Sequence, residues 1–205
     1  MRGLIGKKIG MTRVFNSNGG VVPVTVLEVG PCCVTQVKNF DIDGYDAVQL
    51  GFIEAKEKHI TKPLVGHFSK NNIPPTKILA EFYKVPNFEY KPGQVFNVSI
   101  FNEGDFVSVK GKSKGRGFSG TIKKYSFSTQ RKTHGQGDTH RHVGSIGAAS
   151  DPSRVFPGKK MPGRYGNKNV SVKGLEVVMV NENKNQLLVK GSIPGSTNGI
   201  VYITR

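Results

Sequence analysis

Val21–Val29 reads VVPVTVLEV, and its β-branched, apolar character marks a strand. Gly19-Gly20 in front of it and Gly30-Pro31 behind it punctuate both ends. Further runs of this kind follow along the chain. Cys33–Asn39 and Ala47–Phe52 are strand candidates joined through Asp41-Ile42-Asp43-Gly44, a turn sequence ending in Asp-Gly. Gln94–Phe101 and Phe106–Lys110 flank the turn residues Asn102-Glu103-Gly104-Asp105. Gly174–Val180, Gln186–Lys190 and Ile200–Ile203 complete the set. Many short strands separated by Gly, Asn and Pro indicate a mainly β domain, either a small barrel or a sandwich.

Two stretches break this rhythm. Between Ile60 and Val85 the pattern softens: Val65–Asn71 reads as a short helix, Pro74-Pro75 ends anything regular, and Thr76–Tyr83 returns as a strand. This is expected to be a small α+β insert on the β domain. The second stretch is of another kind. The whole chain of 205 residues carries a formal charge of +16, and Lys110–Lys168 holds most of it. In those 59 residues 14 lysines and arginines face only Asp138 and Asp151, whereas the other 146 residues are close to neutral at +4. The same window contains 11 of the 26 glycines and few apolar residues. It cannot bury enough apolar surface to fold alone, so it is expected to be mobile by itself and ordered on an anionic partner. The expected organisation is barrel at 1–59, insert at 60–93, barrel at 94–110, basic extension at 111–168 and barrel at 169–205.

Charge of this size calls for nucleic acid or an anionic membrane. No run of about 18 apolar residues exists, and no long basic amphipathic helix is visible, which argues against a membrane. The opening MRGLIGKKIGMTRVF lacks the apolar core of a signal peptide and reads as mature cytosolic sequence. The adjacent Cys32 and Cys33 read as small buried strand residues, in keeping with a reducing compartment.

The motifs in the basic window narrow the partner. Gly115–Gly120 fits GxGxxG, yet the following TIKKYSFSTQ is basic and has no helical apolar face, so a dinucleotide site is not expected. The glycines instead let the backbone approach a sugar-phosphate chain, with Lys112, Lys114, Arg116, Lys123 and Lys124 as counter-charge. Gly111-Lys112-Ser113 resembles the end of a P-loop, but Phe106 stands where its first glycine belongs. His134, His140 and His142 lie close together with Asp138 among them. Without thiolates, and beside Arg131, Lys132 and Arg141, they suit bases, ribose or phosphate better than a metal ion. The segment Arg154–Lys168 holds Arg154, Lys159, Lys160, Arg164 and Lys168 with three glycines, two prolines and Tyr165, and no acid stands between Asp151 and Glu176. Planar groups for stacking and stiff prolines favour a shaped finger inside folded RNA over a flexible tail. No Gly-x-Ser-x-Gly elbow appears and carboxylates are scarce, so neither catalysis nor a small-molecule substrate nor a cofactor is expected.

These stretches resemble a known family. GLIGKKIGMTRVF (3–15), VTVLEVGPCCVTQVK (24–38), GYDAVQLGF (44–52) and TKPLVGHFSK (61–70) are similar to the bacterial form of the large-subunit ribosomal protein L3 family. So are VKGKSKGRGFSGTIKKYSF (109–127), THGQGDTHRHVGSIG (133–147), RVFPGKKMPGRYGN (154–167) and LLVKGSIPG (187–195). The resemblance runs from end to end, and KGRGFSGT and FPGKKMPG are its most specific blocks. It implies a closed β-barrel of the translation-protein type with a small insert and a long extension. It also implies direct binding to large-subunit ribosomal RNA, a part in early subunit assembly, contacts with neighbouring large-subunit proteins, and an extension tip near the peptidyl transferase centre. On that resemblance Lys112–Lys124 is the stem of the extension, Gln130–Ser150 lies towards the tip and Arg154–Lys168 is the return arm. Some members carry a methylated glutamine after GSIG. Here Ala148, Ala149 and Ser150 follow Gly147, so that modification is not expected. Tyr125, His142 and Val143 also depart from the common pattern. The rival expectation from composition alone is a general nucleic-acid chaperone or a DNA-compacting protein.

Overall fold

A computed structural model of the chain describes residues 3–16, 19–86 and 88–205. In chain order its elements are β1 (Gly3–Phe15), β2 (Val21–Val29), β3 (Cys32–Lys38), α1 (Phe40–Asp43), β4 (Ala47–Glu54), α2 (Lys62–Ser69) and β5 (Thr76–Tyr83). They continue with β6 (Val95–Phe96), β7 (Phe106–Lys112), β8 (Phe118–Ser119), α3 (Thr121–Tyr125), β9 (Gly163–Arg164), β10 (Asn169–Asn181), β11 (Gln186–Lys190) and β12 (Ile200–Thr204).

Six strands close a barrel in the order β1-β12-β7-β10-β11-β2, every pair antiparallel. The strand expected at Val21–Val29 lies within it and buries Val22, Val24, Leu27 and Val29. Its partner β1 is a strand that composition conceals. Glycines and lysines interrupt its apolar residues, and at Gly3, Gly6 and Lys8 the interruption has a structural reason. A Cβ on Gly3 would stand 2.5 Å from the Ile203 carbonyl oxygen, and one on Gly6 would stand 2.9 Å from that of Glu28, so both positions admit only close-packed backbone. Lys8 is buried, and its ammonium donates to the carbonyls of Ile193 at 3.0 Å and Gly195 at 3.3 Å. A bulge between Lys8 and Gly10 shifts the register with β2 and supplies the local coiling that closure requires.

A second sheet has the order β5-β4-β3-β6. The expectation that 32–54 belongs to the barrel is therefore corrected: β3 and β4 pair with each other and with β6 and β5, not with barrel strands. Both faces of β4 are largely buried, at Ala47, Val48, Leu50, Gly51 and Phe52, which suits a central strand of a packed sheet. Likewise Gln94–Phe101 is not one strand. Only Val95–Phe96 pairs, and a 3-10 turn follows at Val98–Ile100. The helix expected at Val65–Asn71 begins earlier, at Lys62, with Pro63 in its first turn, where a missing N–H costs nothing. Phe68 buries its ring, and Asn71 Nδ2 donates to the Thr35 carbonyl at 2.7 Å, tying this segment to β3. One apolar core joins both sheets, from Leu4, Ile5 and Ile203 in the barrel to Val34, Leu50 and Phe52 in the second sheet.

The chain divides into two compact units. The described part of Met1–Ser113 with Asn169–Arg205 forms the first, and Lys114–Lys168 forms the second. Lys112 faces Asn169 across the antiparallel pair β7–β10, so the second unit leaves and re-enters the barrel at neighbouring strand ends.

Candidate nucleic-acid interface

The basic unit is not structureless. Its two ends zip into a short ribbon. The Arg116 N–H donates to the Tyr165 carbonyl and the Tyr165 N–H donates to that of Gly117, both at 2.9 Å. β8 and β9 continue the pairing, with Phe118 opposite Arg164 and Ser119 opposite Gly163. The glycines permit this closeness. Gly166 has φ +72, and a Cβ there would stand 2.0 Å from the Lys114 carbonyl oxygen. Ser119 is buried and its hydroxyl donates to the Arg116 carbonyl at 3.2 Å. The glycine-rich motif is thus a backbone clasp rather than a nucleotide loop.

Beyond the ribbon, α3 is a five-residue helix ended by Ser126 in the left-handed region, whose N–H returns to the Ile122 carbonyl at 2.9 Å. It presents Lys123 to solvent. The Lys124 ammonium lies 5.0 Å from the centre of the Tyr125 ring, and the Lys160 ammonium, from the other arm, lies 5.8 Å from the same ring. One aromatic ring therefore takes a cation from each arm.

Towards the tip, a 3-10 turn spans Gly137–Arg141. The Gln130 N–H donates to the His140 carbonyl at 3.1 Å, and His140 Nδ1 lies 3.0 Å from the Arg131 carbonyl. A carbonyl only accepts, so Nδ1 carries the proton and Nε2 of the neutral ring is an acceptor. His134 is exposed with φ +64, and Arg131, Lys132, Arg141 and His142 are exposed. Among the described residues no group of three or more His, Cys, Asp or Glu is placed to hold a metal ion. The three histidines are therefore not gathered into a ligand set, and His140 serves to close the loop.

On the return arm, Phe156-Pro157-Gly158-Lys159 forms a turn in which the Lys159 N–H reaches the Phe156 carbonyl at 3.4 Å and Gly158 has φ +77. Proline then glycine at the two central positions is the sequence such a turn demands. The turn projects Lys159 and Lys160 into solvent. The Arg154 guanidinium lies 5.8 Å over the Phe156 ring.

The electrostatics separate the units. The ion pairs Lys38–Glu81, Lys84–Asp46, Lys190–Glu176 and Arg205–Asp105 all belong to the barrel unit. In the basic unit, Arg116, Lys123, Arg131, Lys132, Arg141, Lys159 and Arg164 are exposed and have no acidic partner among the described residues. Lys114 and Lys168 are also exposed, at its two ends. Lys112 stands apart as the exposed last residue of β7, within the barrel unit. Sequence reasoning singled out Tyr165 as a planar stacking group but passed over the two phenylalanines of this surface, Phe118 and Phe156. Phe118 is 81% exposed, and Phe156 and Tyr165 are exposed as well. Their signal was aromatic residues interleaved with Lys, Arg and Gly, a pattern that a packed core does not need.

The sequence matches the family described as "Ribosomal protein L3" over residues 83–187. It is 50% identical over 203 residues to "Large ribosomal subunit protein uL3" of Thermotoga maritima, covering 99% of this chain and 96% of that protein. The corresponding protein of Chlorobium phaeobacteroides is 49% identical over 204 residues, with 99% and 98% covered. "Large ribosomal subunit protein uL3c" of Phaeodactylum tricornutum is 46% identical over 201 residues, with 98% and 97% covered.

Proposed function

The chain belongs to the ribosomal protein L3 family, whose members are structural constituents of the large ribosomal subunit and not enzymes, and from that premise we propose that it binds large-subunit ribosomal RNA directly through Lys114–Lys168. The observation that carries this reading is the exposed, acid-poor cation surface of that unit. Twelve of its residues are Lys or Arg, against Asp138 and Asp151. Each cation that meets a phosphate releases condensed counterions, which makes binding strong and salt-dependent.

The proposed contacts are Lys112, Lys114, Arg116, Lys123 and Lys124 at the stem, and Arg131, Lys132, His134, His140, Arg141 and His142 towards the tip. Arg154, Lys159, Lys160, Arg164 and Lys168 serve on the return arm. Phosphate contacts and the shape of the folded RNA dominate, with few base-specific hydrogen bonds. In this reading 111–168 is the part that enters RNA, and the tip is directed towards the peptidyl transferase centre. The barrel segments and the 60–93 insert dock on the subunit surface and meet neighbouring large-subunit proteins. Binding early in assembly follows, because a finger threaded between RNA helices is difficult to insert after they have packed. The chain then resides in the ribosome, in the cytoplasm.

The test is binding of the full-length protein to a large-subunit rRNA transcript and to duplex DNA at matched salt, together with sedimentation of the protein from lysate. Preference for the rRNA and co-sedimentation with the large subunit are expected. Equal affinity for duplex DNA would favour a general nucleic-acid chaperone instead.

A further inference from the structure

The phenylalanine and tyrosine rings of the basic unit are not equivalent. Tyr125 has the ammonium groups of Lys124 and Lys160 near its face and the Phe127 ring 6.2 Å away. Phe156 has the Arg154 guanidinium over it. Tyr165 is less exposed than Phe118 or Phe156, at 39%. Phe118 differs from all of these. It is 81% exposed, and among the described residues no cation or ring lies over its face. Yet it sits on the most constrained backbone of the unit. Its strand is paired to β9, and the bonds from Arg116 to Tyr165 and from Tyr165 to Gly117 lock the preceding residues.

Directly opposed residues of an antiparallel pair project from the same face. Phe118 and Arg164 are such a pair, and both are exposed. The ribbon therefore projects Phe118 and Arg164 from one face, both open to solvent. No acid lies between Lys114 and Lys132, so the surroundings repel cationic partners and attract anionic ones. A ligand that satisfies both groups needs a flat apolar face and an anionic group a few ångströms from it. An unpaired nucleotide has both: its base stacks on an aromatic ring, and its phosphate accepts from arginine.

We propose that Phe118 is a stacking platform for one unpaired base of the bound RNA, and that Arg164 beside it takes an adjoining phosphate. The proposal rests on the RNA-binding reading above and names the kind of nucleotide that the stem of the unit engages. It divides the labour within one ribbon. Phe118 contributes a salt-independent contact and Arg164 a salt-dependent one.

The experiment compares the full-length wild-type chain with Phe118→Leu, Phe118→Trp and Arg164→Ala, using an in vitro transcript of large-subunit rRNA. Affinity is measured across a salt series, and base reactivity is mapped by chemical probing. Phe118 is 81% exposed and lies outside the apolar core, so neither substitution removes core contacts. Phe118→Leu should weaken binding roughly tenfold without changing the salt slope, and one base protected by the wild type should become reactive. Phe118→Trp should restore both affinity and protection. Arg164→Ala should flatten the salt slope by about one unit. A wild-type chain that does not bind rRNA removes the underlying reading and the inference together. A wild type that binds, with Phe118→Leu equally tight and equally protecting, removes the inference alone. So does a Phe118→Trp variant as weak as Phe118→Leu. The inference also falls if Phe118→Leu keeps its rRNA affinity but loses a neighbouring protein in reconstituted subunits, which would assign the ring to a protein contact.

Discussion

At the scale of single residues, surroundings decide what a side chain can do. Burial pushes the Cys32 thiol up from its ordinary value near 9 to about 11, and the S–H donates to the Ile5 carbonyl at 3.5 Å. Cys33 is half-exposed, and burial raises its thiol too. The reactive species is the thiolate, so alkylation at pH 8 should be slow for Cys33 and slower still for Cys32, rising with pH for both. Mass spectrometry of the alkylated native chain checks this, and rapid labelling of Cys32 at pH 8 would contradict it. The same shift gives a stability slope. Between about pH 9 and 11 the unfolded chain releases the Cys32 proton while the folded chain keeps it, so this contribution to stability falls as pH rises through that window. Glycines show the other kind of residue-scale constraint. Gly166→Ala combines a left-handed φ of +72 with a Cβ placed 2.0 Å from the Lys114 carbonyl oxygen, so the ribbon must open or distort. The strain is on the order of 1–3 kcal/mol, and rRNA affinity should fall roughly tenfold or more. Gly115→Ala meets only the Asn167 Cβ at 3.6 Å, an ordinary contact, and should bind as the wild type does. Equal binding by both variants would show that the clasp plays no part in binding.

At the scale of elements, the turn formed by Phe156–Lys159 and the β9 strand display Lys159, Lys160 and Arg164 on short, internally bonded pieces of chain. Replacing all three with Ala should weaken rRNA binding and reduce the salt slope by about one unit per lost phosphate contact. An unchanged slope in a salt titration would mean that they touch no phosphate. These cations were legible in the sequence because charge is additive and needs no geometry. Strands β2, β5, β7, β11 and β12 were legible as well, since their β-branched residues alternate or cluster between turn residues. β1 was not. Its Gly3, Gly6 and Lys8 act as breakers in a local reading, whereas in the barrel they answer non-local demands: close backbone approach for the glycines, and carbonyls of the 193–195 loop for the lysine. The division of strands between barrel and second sheet was equally hidden, because pairing partners such as β4 and β5 lie across a helix and a Pro-Pro break. In the basic unit, composition revealed the charge but not the ribbon. Its order comes from glycine-permitted backbone hydrogen bonds, and those leave no apolar period to read.

At the scale of the whole molecule, the sequence carries two separable designs. The barrel unit has an apolar core, pairs several of its charges internally and holds a net charge near +6, whereas Lys114–Lys168 has a net charge of +10 and is held by backbone clasps. The junction makes a direct test possible. β7 and β10 are paired neighbours, with Lys112 opposite Asn169, so the chain needs to cross only one strand spacing of about 5 Å at that point. Excising residues 114–168 and joining Ser113 to Asn169 through an Asn-Gly turn should therefore leave the barrel ladder intact. The shortened chain should melt in a single cooperative transition, because the core residues of both sheets are all retained. It should lose most of its rRNA affinity and most of the salt dependence, since the exposed unpaired cations go with the excised unit. Calorimetry and a salt series of binding measurements on the same preparation decide the matter. A shortened chain that fails to fold would show that the barrel depends on the basic unit. One that folds and still binds rRNA as tightly as the whole chain would place the main RNA contact on the barrel surface. Limited proteolysis of the intact protein complements the excision: the first cuts should fall within 127–160, where every residue is exposed or only partly covered, and bound rRNA should slow them. Protection by rRNA confined to the barrel would point the same way as tight binding by the shortened chain, so the two experiments constrain each other.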